Sequence, residues 1–266
     1  LDLHRIPVPP FALLCIYAWR IYALCIEGAA VGKKEKQKKE AKKEKATSSS
    51  ASQATQWEKW PRPSVAVDVV VLTVKDGALF VALYERKGEG TYALPGGFVG
   101  IDESLDDAAR RLLRDKAGFE GVFFEQLYTF GDPRRDERGR VITVAYVALL
   151  SADRFFASAC ARGRVLVPWP GETGGPVDVD LDDDDSGVAV DLAFDHKDIL
   201  GLAIKRLRGK LDYTPIGFQL LPAEFTLRQL QDIHEAVRAE SVNKDSFRRR
   251  MLASGHLEAT GNHERY

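Results

Sequence analysis

Two stretches of the chain place residue types at spacings that could do chemistry. In residues 94–119, LPGGFVGIDESLDDAARRLLRDKAGF, the pair Gly96 and Gly97 precedes a helical pattern. A glycine-rich turn running into a helix N-terminus presents backbone N–H groups and the positive end of the helix dipole to a diphosphate. In residues 243–253, NKDSFRRRMLA, Asn243 can cap a short helix that carries Lys244, Arg248, Arg249 and Arg250. Cations on such a helix contact phosphates generically, and a bidentate arginine on guanine gives specificity. The chemistry on offer is binding of phosphate, once in a nucleotide and once in a nucleic acid.

These stretches need elements to hold them. Residues 64–74 and 78–86 are β-branched and apolar, and Asp76-Gly77 between them predicts a hairpin. After the glycine loop, Ser104 and Asp107 form a cap-like start, and Leu105, Ala108, Ala109, Leu112 and Leu113 fall at helical spacing. Further strands are expected at 121–130 and 141–150, joined by the polar loop GDPRRDERGR. Toward the C-terminus a helix is expected at 198–211. Thr226 with Gln229 caps a second helix, striped by Leu227, Leu230, Ile233 and Val237. On the third helix, from 244 to 254, Phe247, Met251 and Leu252 are expected to face inward, and HLEATG then reads as a small strand and turn.

The chain has 266 residues, enough for two modest domains, and its 38 basic and 39 acidic residues nearly cancel. That balance hides segregation. Residues 33–45 hold eight Lys and three Glu and are expected to form a disordered basic arm. Residues 171–195 hold nine acids and neither Lys nor Arg, which reads as a long exposed insertion of solvated acid, since the ligand spacing of a calcium loop is missing. From residue 196 onward twelve Lys and Arg exceed nine Asp and Glu. Residues 11–26 are apolar, but Arg20 interrupts them and leaves a run shorter than the roughly 20 residues a membrane helix needs, so no membrane association is expected. Cys15, Cys25 and Cys160 show no metal-ligand spacing and are expected as free thiols in a reducing cytoplasm. The only methionine is Met251, and the first 30 residues are expected to be an upstream extension of the reading frame.

Gly97, Glu103, Arg111, Leu113, Gly118 and Phe119 stand at the spacing of the Nudix box, G-x5-E-x7-R-E-U-x-E-E-x-G-U, with U aliphatic, and residues 62–155 resemble that domain. The resemblance implies that Arg111 and Glu103 tie the loop to the helix. It also places the family's Mg²⁺-binding glutamates at positions that read Leu112, Asp115 and Lys116 here. Those positions are three and four residues apart and are expected on one helix face. Leu112 offers no oxygen, and hard Mg²⁺ wants several. Lys116 adds a positive charge that, at about 4 Å and an effective dielectric of about 20, opposes a unit charge by roughly 4 kcal/mol. At about 1.4 kcal/mol per factor of ten, that is about a thousandfold in affinity. Hydrolysis by metal-activated water is not expected, so no catalytic residue and no metal ligand are assigned. Nucleotide binding is retained, with Arg86, Gly96, Gly97, Phe98, Glu103, Arg111, Phe130 and Arg138 as the candidate effector residues; a purely structural role stays open for Arg86, Phe130 and Arg138.

The capped helix, short link, basic helix and strand-turn resemble a winged helix-turn-helix, with Asn243, Lys244, Ser246, Arg248, Arg249 and Arg250 as candidate DNA contacts. A Nudix-like half with altered metal positions followed by a winged helix is similar to the Nudix-related transcriptional regulators of NAD metabolism, the NrtR type. The stretches FEQLYTFGDPRRDERGRV, NKDSFRRRML and LEATG carry that similarity, which spans about residues 60–262. It implies an α/β Nudix-like mixed sheet with a C-terminal winged helix. It further implies a homodimeric cytoplasmic repressor that binds a double-stranded DNA operator, takes ADP-ribose or a related nucleotide as effector, and requires no cofactor. The expected divisions are an N-terminal segment 1–56 outside the fold, an effector domain 57–195 containing the acidic insertion, and a DNA-binding domain 196–266. Two other classes stay open. One is an active Nudix hydrolase of nucleoside diphosphate derivatives that uses Glu103, Asp115 and Glu120; the other is an interaction protein whose basic tail binds partners.

Overall fold

The β-branched run expected as a strand is one: β2 (Ser64–Lys75) is flanked on one side by β3 (Ala78–Arg86), antiparallel, and on the other by β7 (Val141–Leu149), parallel. The structure is a computed structural model that describes residues 2–5, 60–86, 88, 90–181 and 189–263. The chain divides into two compact units, one formed by Leu1–Pro7 with Ser64–Tyr266 and the other by Val8–Pro63. The apolar run 11–26, Cys15, Cys25, the lysine-rich run 33–45 and residues 182–188 lie outside the described residues.

The main sheet runs β6-β7-β2-β3-β8-β9, with β6 at Phe123–Phe130, β8 at Ala161–Leu166 and β9 at Asp178–Leu181. Short strands β4 (Thr91–Ala93) and β5 (Gly96–Phe98) add to β3 and β2. Strand alternation gives β2 two faces. Val67, Val69 and Val71 pack against α1 (Leu105–Ala117) and α2 (Ala152–Phe156). Val70, Leu72 and Val74 join a second core with Ile199, Ala203 and Leu207 of α3 (His196–Lys210) and with Ile233 and Val237 of α4 (Leu227–Arg238). Helices thus cover both faces of a mixed sheet. The expected boundary at 196 would have assigned α3 wholly to the DNA-binding half, whereas its apolar face closes the core of the sheet.

The C-terminal elements follow the sequence pattern closely. A 3-10 helix (Pro215–Leu220) leads through β10 (Phe225–Thr226) to α4. The Thr226 hydroxyl accepts the Gln229 N–H, and the Gln229 side chain accepts the Thr226 N–H, a reciprocal cap. Helix α5 (Lys244–Ala253) starts at Asn243, whose Oδ1 accepts the Ser246 N–H at 3.0 Å. Between the two helices the Glu235 carboxylate accepts from Val242 N–H and from Gln231 Nε2, each at 2.9 Å, fixing the turn. Phe247 is buried with Phe218, Phe225 and Leu230. Met251 packs beside them, but Leu252, expected inward, is 48 % exposed, because a helix of this length buries only one narrow stripe.

Two further expectations are corrected. Residues 2–5, placed outside the fold, form β1 (Asp2–Arg5), which pairs antiparallel with both β10 and β11 (Glu258–His263). An isolated four-residue strand has no sequence signal of its own, and long-range pairing creates it. The stretch 171–195 is not wholly an exposed insertion: Val177, Val179, Leu192 and Ala193 are buried, and Asp178–Leu181 is a strand. Its carboxylates alternate with apolar residues that face the core, so a tally of acids concealed a period of two. Strand β8 and helix α2 likewise escaped the sequence reading.

Candidate functional site

Gly96 and Gly97 do not form a free loop; they pair as β5 with Asp68 and Val67 of β2. The reason for glycine is contact. A Cβ on Gly96 would stand 2.0 Å from Asp68 Oδ1 and 3.0 Å from the Val67 carbonyl oxygen, and one on Gly97 would stand 2.9 Å from Leu112 Cδ2. Beside this strand lies a cleft of about 250 Å³, lined by Gly96, Gly97, Phe98, Arg86 and Arg138 of the expected residues. The other expected residues are placed elsewhere. Glu103 and Arg111 bind each other, Nη2 to Oε1 at 2.5 Å and Nε to Oε2 at 3.0 Å, and Arg111 also donates to the Phe98 carbonyl. Hydrogen bonding from Arg111 and from Gly100 N–H holds the Glu103 carboxyl at about 2, well below its ordinary value. This pair fastens loop to helix and does not line the cleft. Phe130 sits on β6, edge-on to Tyr128 and packed against the main core, away from the cleft.

The N-terminus of α1 is not turned to use by the cleft. Ser104 caps it, and its first turn carries Asp106 and Asp107, which would repel a diphosphate. The cleft instead meets the last turn of α1 at Lys116. Attraction for an anion therefore comes from four cations, Arg86, Lys116, Arg135 and Arg138, against three carboxylates, Asp68 and Asp136 in the lining and Asp195 bound to Arg135. The dipole of α1 turns its negative end toward the cleft there and adds no attraction.

The metal positions separate into three environments. Leu112 is 2 % exposed, within the core under Gly97. Asp115 is engaged by Arg114 Nε at 3.0 Å. Lys116 Nζ stands 4.2 Å from the centroid of the Tyr84 ring. Among the described residues no group of three His, Cys, Asp or Glu is placed to hold a metal ion. A hydrocarbon, a carboxylate already paired and an ammonium do not fit a hard divalent cation.

Beneath the cleft runs a buried charge network that the sequence reading missed. Arg135, with a side chain 4 % exposed, donates to Asp195 from Nε at 2.9 Å and Nη2 at 2.6 Å, and to Asp68 at 3.3 Å. Burial opposes ionisation of Asp68, but His196 and then Arg135 outweigh it and hold the carboxyl below its ordinary value. Burial likewise works against the Arg135 cation, and Asp195 and Asp68 more than offset it. His196 Nδ1 accepts the Leu94 N–H at 3.0 Å, which leaves the ring proton on Nε2, 3.6 Å from Asp68 Oδ1. Above the network Asp136 binds Arg138 through two guanidinium nitrogens, which lowers its carboxyl to about 2. The available signal was Asp68, one acid inside an apolar strand; Arg135 was hidden in a cluster of charges and Asp195 in an acidic run.

A larger open groove of about 1330 Å³ lies between the β2–β3 hairpin and α4. Its cations, Lys75, Arg164, Arg208 and Arg228, are outnumbered by carboxylates that include Asp76, Asp178, Asp232 and Glu240, so it has no preference for an anion. The smaller cleft, with an excess of positive charge, is the candidate nucleotide site.

At the other end of the chain Asn243, Lys244, Ser246, Arg248, Arg249 and Arg250 are all exposed on α5 or at its cap. Asn243 Oδ1 and the Ser246 N–H are engaged with each other in the cap, and Arg250 lies 5.6 Å from the Phe247 ring. No helix among the described residues is long and apolar enough to cross a membrane, and Cys160 is a free, half-buried thiol whose pKa burial pushes up.

Comparison with known proteins agrees with this architecture. Residues 62–158 match the NUDIX domain model, and residues 217–265 match the NrtR DNA-binding winged helix domain model, which begins after α3. The chain is 34 % identical over 206 residues to the ADPR responsive transcriptional repressor NtrR of Acinetobacter baylyi, covering 76 % of this chain and 77 % of that one. The structure of Shewanella oneidensis NrtR complexed with a 27mer DNA is similar with a TM-score of 0.59 and 31 % identity, over 76 % of this chain and 89 % of that one. A MutT/nudix family protein from Enterococcus faecalis aligns with a TM-score of 0.62 and 25 % identity, over 76 % of this chain and 87 % of that one. The mixed sheet, the cleft beside its glycine strand and the capped basic helix are those of a Nudix domain joined to a DNA-binding winged helix, and the chain belongs to the NrtR family of transcriptional regulators.

Proposed function

We propose that this protein is a DNA-binding transcriptional repressor that responds to ADP-ribose or a closely related nucleotide through its Nudix cleft, and that it controls genes of NAD or cofactor synthesis. It acts as a homodimer in the cytoplasm. The observation that carries the reading is Lys116 at the cleft wall with Leu112 in the core below it, where a hydrolase would need carboxylates. The cleft keeps its attraction for a diphosphate and lacks the oxygens that activate water. The relative from Acinetobacter baylyi, named as responsive to ADPR, supports the choice of effector. On the DNA side, two copies of α5 would enter successive major grooves roughly 34–36 Å apart, with Lys244 and Ser246 at the base edges and Arg248, Arg249 and Arg250 on phosphates.

Titration calorimetry with ADP-ribose, with and without Mg²⁺, followed by product analysis, tests the receptor half. Saturable binding without release of AMP is expected, and turnover to AMP would overturn it. A gel shift on the duplex that the protein selects from a random library tests the other half. The double variant R248A/R249A is expected to abolish the complex, and an unchanged complex would refute the assignment of α5.

A further inference from the structure

Three consecutive residues at the start of α3 are each bound into the wall of the nucleotide cleft. Phe194 has φ of 59°, in the left-handed region that a bulky side chain avoids. The residue is 39 % exposed at the cleft, with the guanidinium carbons of Arg86 and Arg138 at 4.8 Å and 5.1 Å from the centroid of its ring. Asp195 receives both donors of Arg135, and His196 accepts the Leu94 N–H, two residues before Gly96. A strained backbone persists only where its surroundings over-determine it. Here the surroundings are cations that line the cleft.

The far end of the same helix is tied to α4 by one hydrogen bond and to the segment after β8 by two. Arg208 donates from Nε to the Val237 carbonyl on α4 at 2.7 Å, and from Nη1 to the carbonyls of Trp169 and Gly171 at 3.1 Å and 2.8 Å. Helix α3 has 15 residues. At 1.5 Å per residue it spans about 22 Å, with one end in the cleft and the other on the helix that precedes the recognition helix.

We propose that Phe194 is the positioning residue through which cleft occupancy reaches the winged helix. A diphosphate entering the cleft competes with the Phe194 ring for Arg86 and Arg138, since charge-assisted bonds from guanidinium to phosphate are stronger than guanidinium contacts with a ring. Release of the ring lets the left-handed turn relax, and α3 carries the change to α4. This supplies what a ligand needs in order to shift an equilibrium, a different interaction with each of two states. The inference rests on the reading of the cleft as an ADP-ribose receptor.

The test measures affinity of the full chain for its selected duplex, without ADP-ribose and with ADP-ribose at saturation. In the wild type the two affinities are expected to differ by a factor on the order of 5 to 150. Phe194→Gly, which removes both the ring and the strain, is expected to bind DNA without ADP-ribose as the wild type does at ADP-ribose saturation. It should still bind ADP-ribose, yet the factor should fall below about twofold, far under that range. Phe194→Leu keeps the β-carbon and serves if the glycine variant loosens the turn; it too should lose the factor, having no ring face for the guanidinium groups. A full-sized factor in either folded variant, or complete loss of ADP-ribose binding, would overturn the relay. A wild type that binds no ADP-ribose would instead overturn the proposed function, so the two failures are separable.

Discussion

Lys116 lays its ammonium against Tyr84, 4.2 Å from the ring centroid, and so places a fixed positive charge on the cleft wall. The aromatic face steadies the cation, and the four-carbon stem carries it past the core residues of α1. The pair puts a positive charge where a hydrolase would hold a metal ion.

Binding of ADP-ribose is therefore expected to be indifferent to divalent cations. Affinities measured calorimetrically with Mg²⁺ and with a chelator should agree within about twofold, well under the tenfold that about 1.4 kcal/mol would give. Lys116→Glu is expected to weaken binding by about tenfold or more without creating a hydrolase, because Leu112 still supplies no oxygen. A Mg²⁺-dependent affinity in the wild type would contradict this account.

Gly96→Ala tests the close approach of β5 to β2. The added Cβ would meet Asp68 Oδ1 at 2.0 Å and a backbone oxygen at 3.0 Å, and only the side chain can yield. Displacing Asp68 disturbs Arg135 as well. Loss of about 1–3 kcal/mol in urea unfolding is expected, the usual result of overpacking, together with strongly reduced nucleotide binding. Wild-type values for both would show that the approach is not tight.

Arg135→Leu should be among the most damaging single changes. It leaves Asp68 and Asp195 without their shared partner in a site where the arginine side chain is 4 % exposed. Removing one member of a buried ion pair costs about 3–5 kcal/mol. Asp68→Asn combined with Asp195→Asn in the same background should recover part of the loss, because amides are cheaper to bury than charges. Denaturant midpoints with unchanged slopes would measure both effects.

His234 gives the DNA-binding half a pH dependence. Burial lowers its pKa to about 4, and its Nδ1 has no hydrogen-bond partner among the described residues. Between the unfolded value near 6.5 and the folded value the unfolded chain binds more protons, so stability is full above 6.5 and falls as pH drops toward 4. At about 1.4 kcal/mol per unit the loss is on the order of 3 kcal/mol. His234→Leu should keep the helices packed and flatten this slope. A wild-type melting temperature that stays constant from pH 7 to pH 4.5, or an identical slope in the variant, would count against it.

Local patterns determined much of this protein. The β-branched run of β2, the Thr226 and Asn243 caps and the basic face of α5 are written in consecutive residues, because capping and periodicity act over one or two turns. The spacing from Gly97 to Phe119 likewise showed what stands at the metal positions. Only the tertiary structure decided that the cleft lies at the Lys116 end of α1, that α3 closes the Nudix sheet, and that Asp2–Arg5 joins the strands of the winged helix. The same holds for Arg135: its partners are 67 and 60 residues away, and nothing in a stretch rich in charges tells one destined for burial from one left in water. Burial is a property of the assembled sheet and helices, and it is burial that turns these ordinary ionic side chains into the floor of a site.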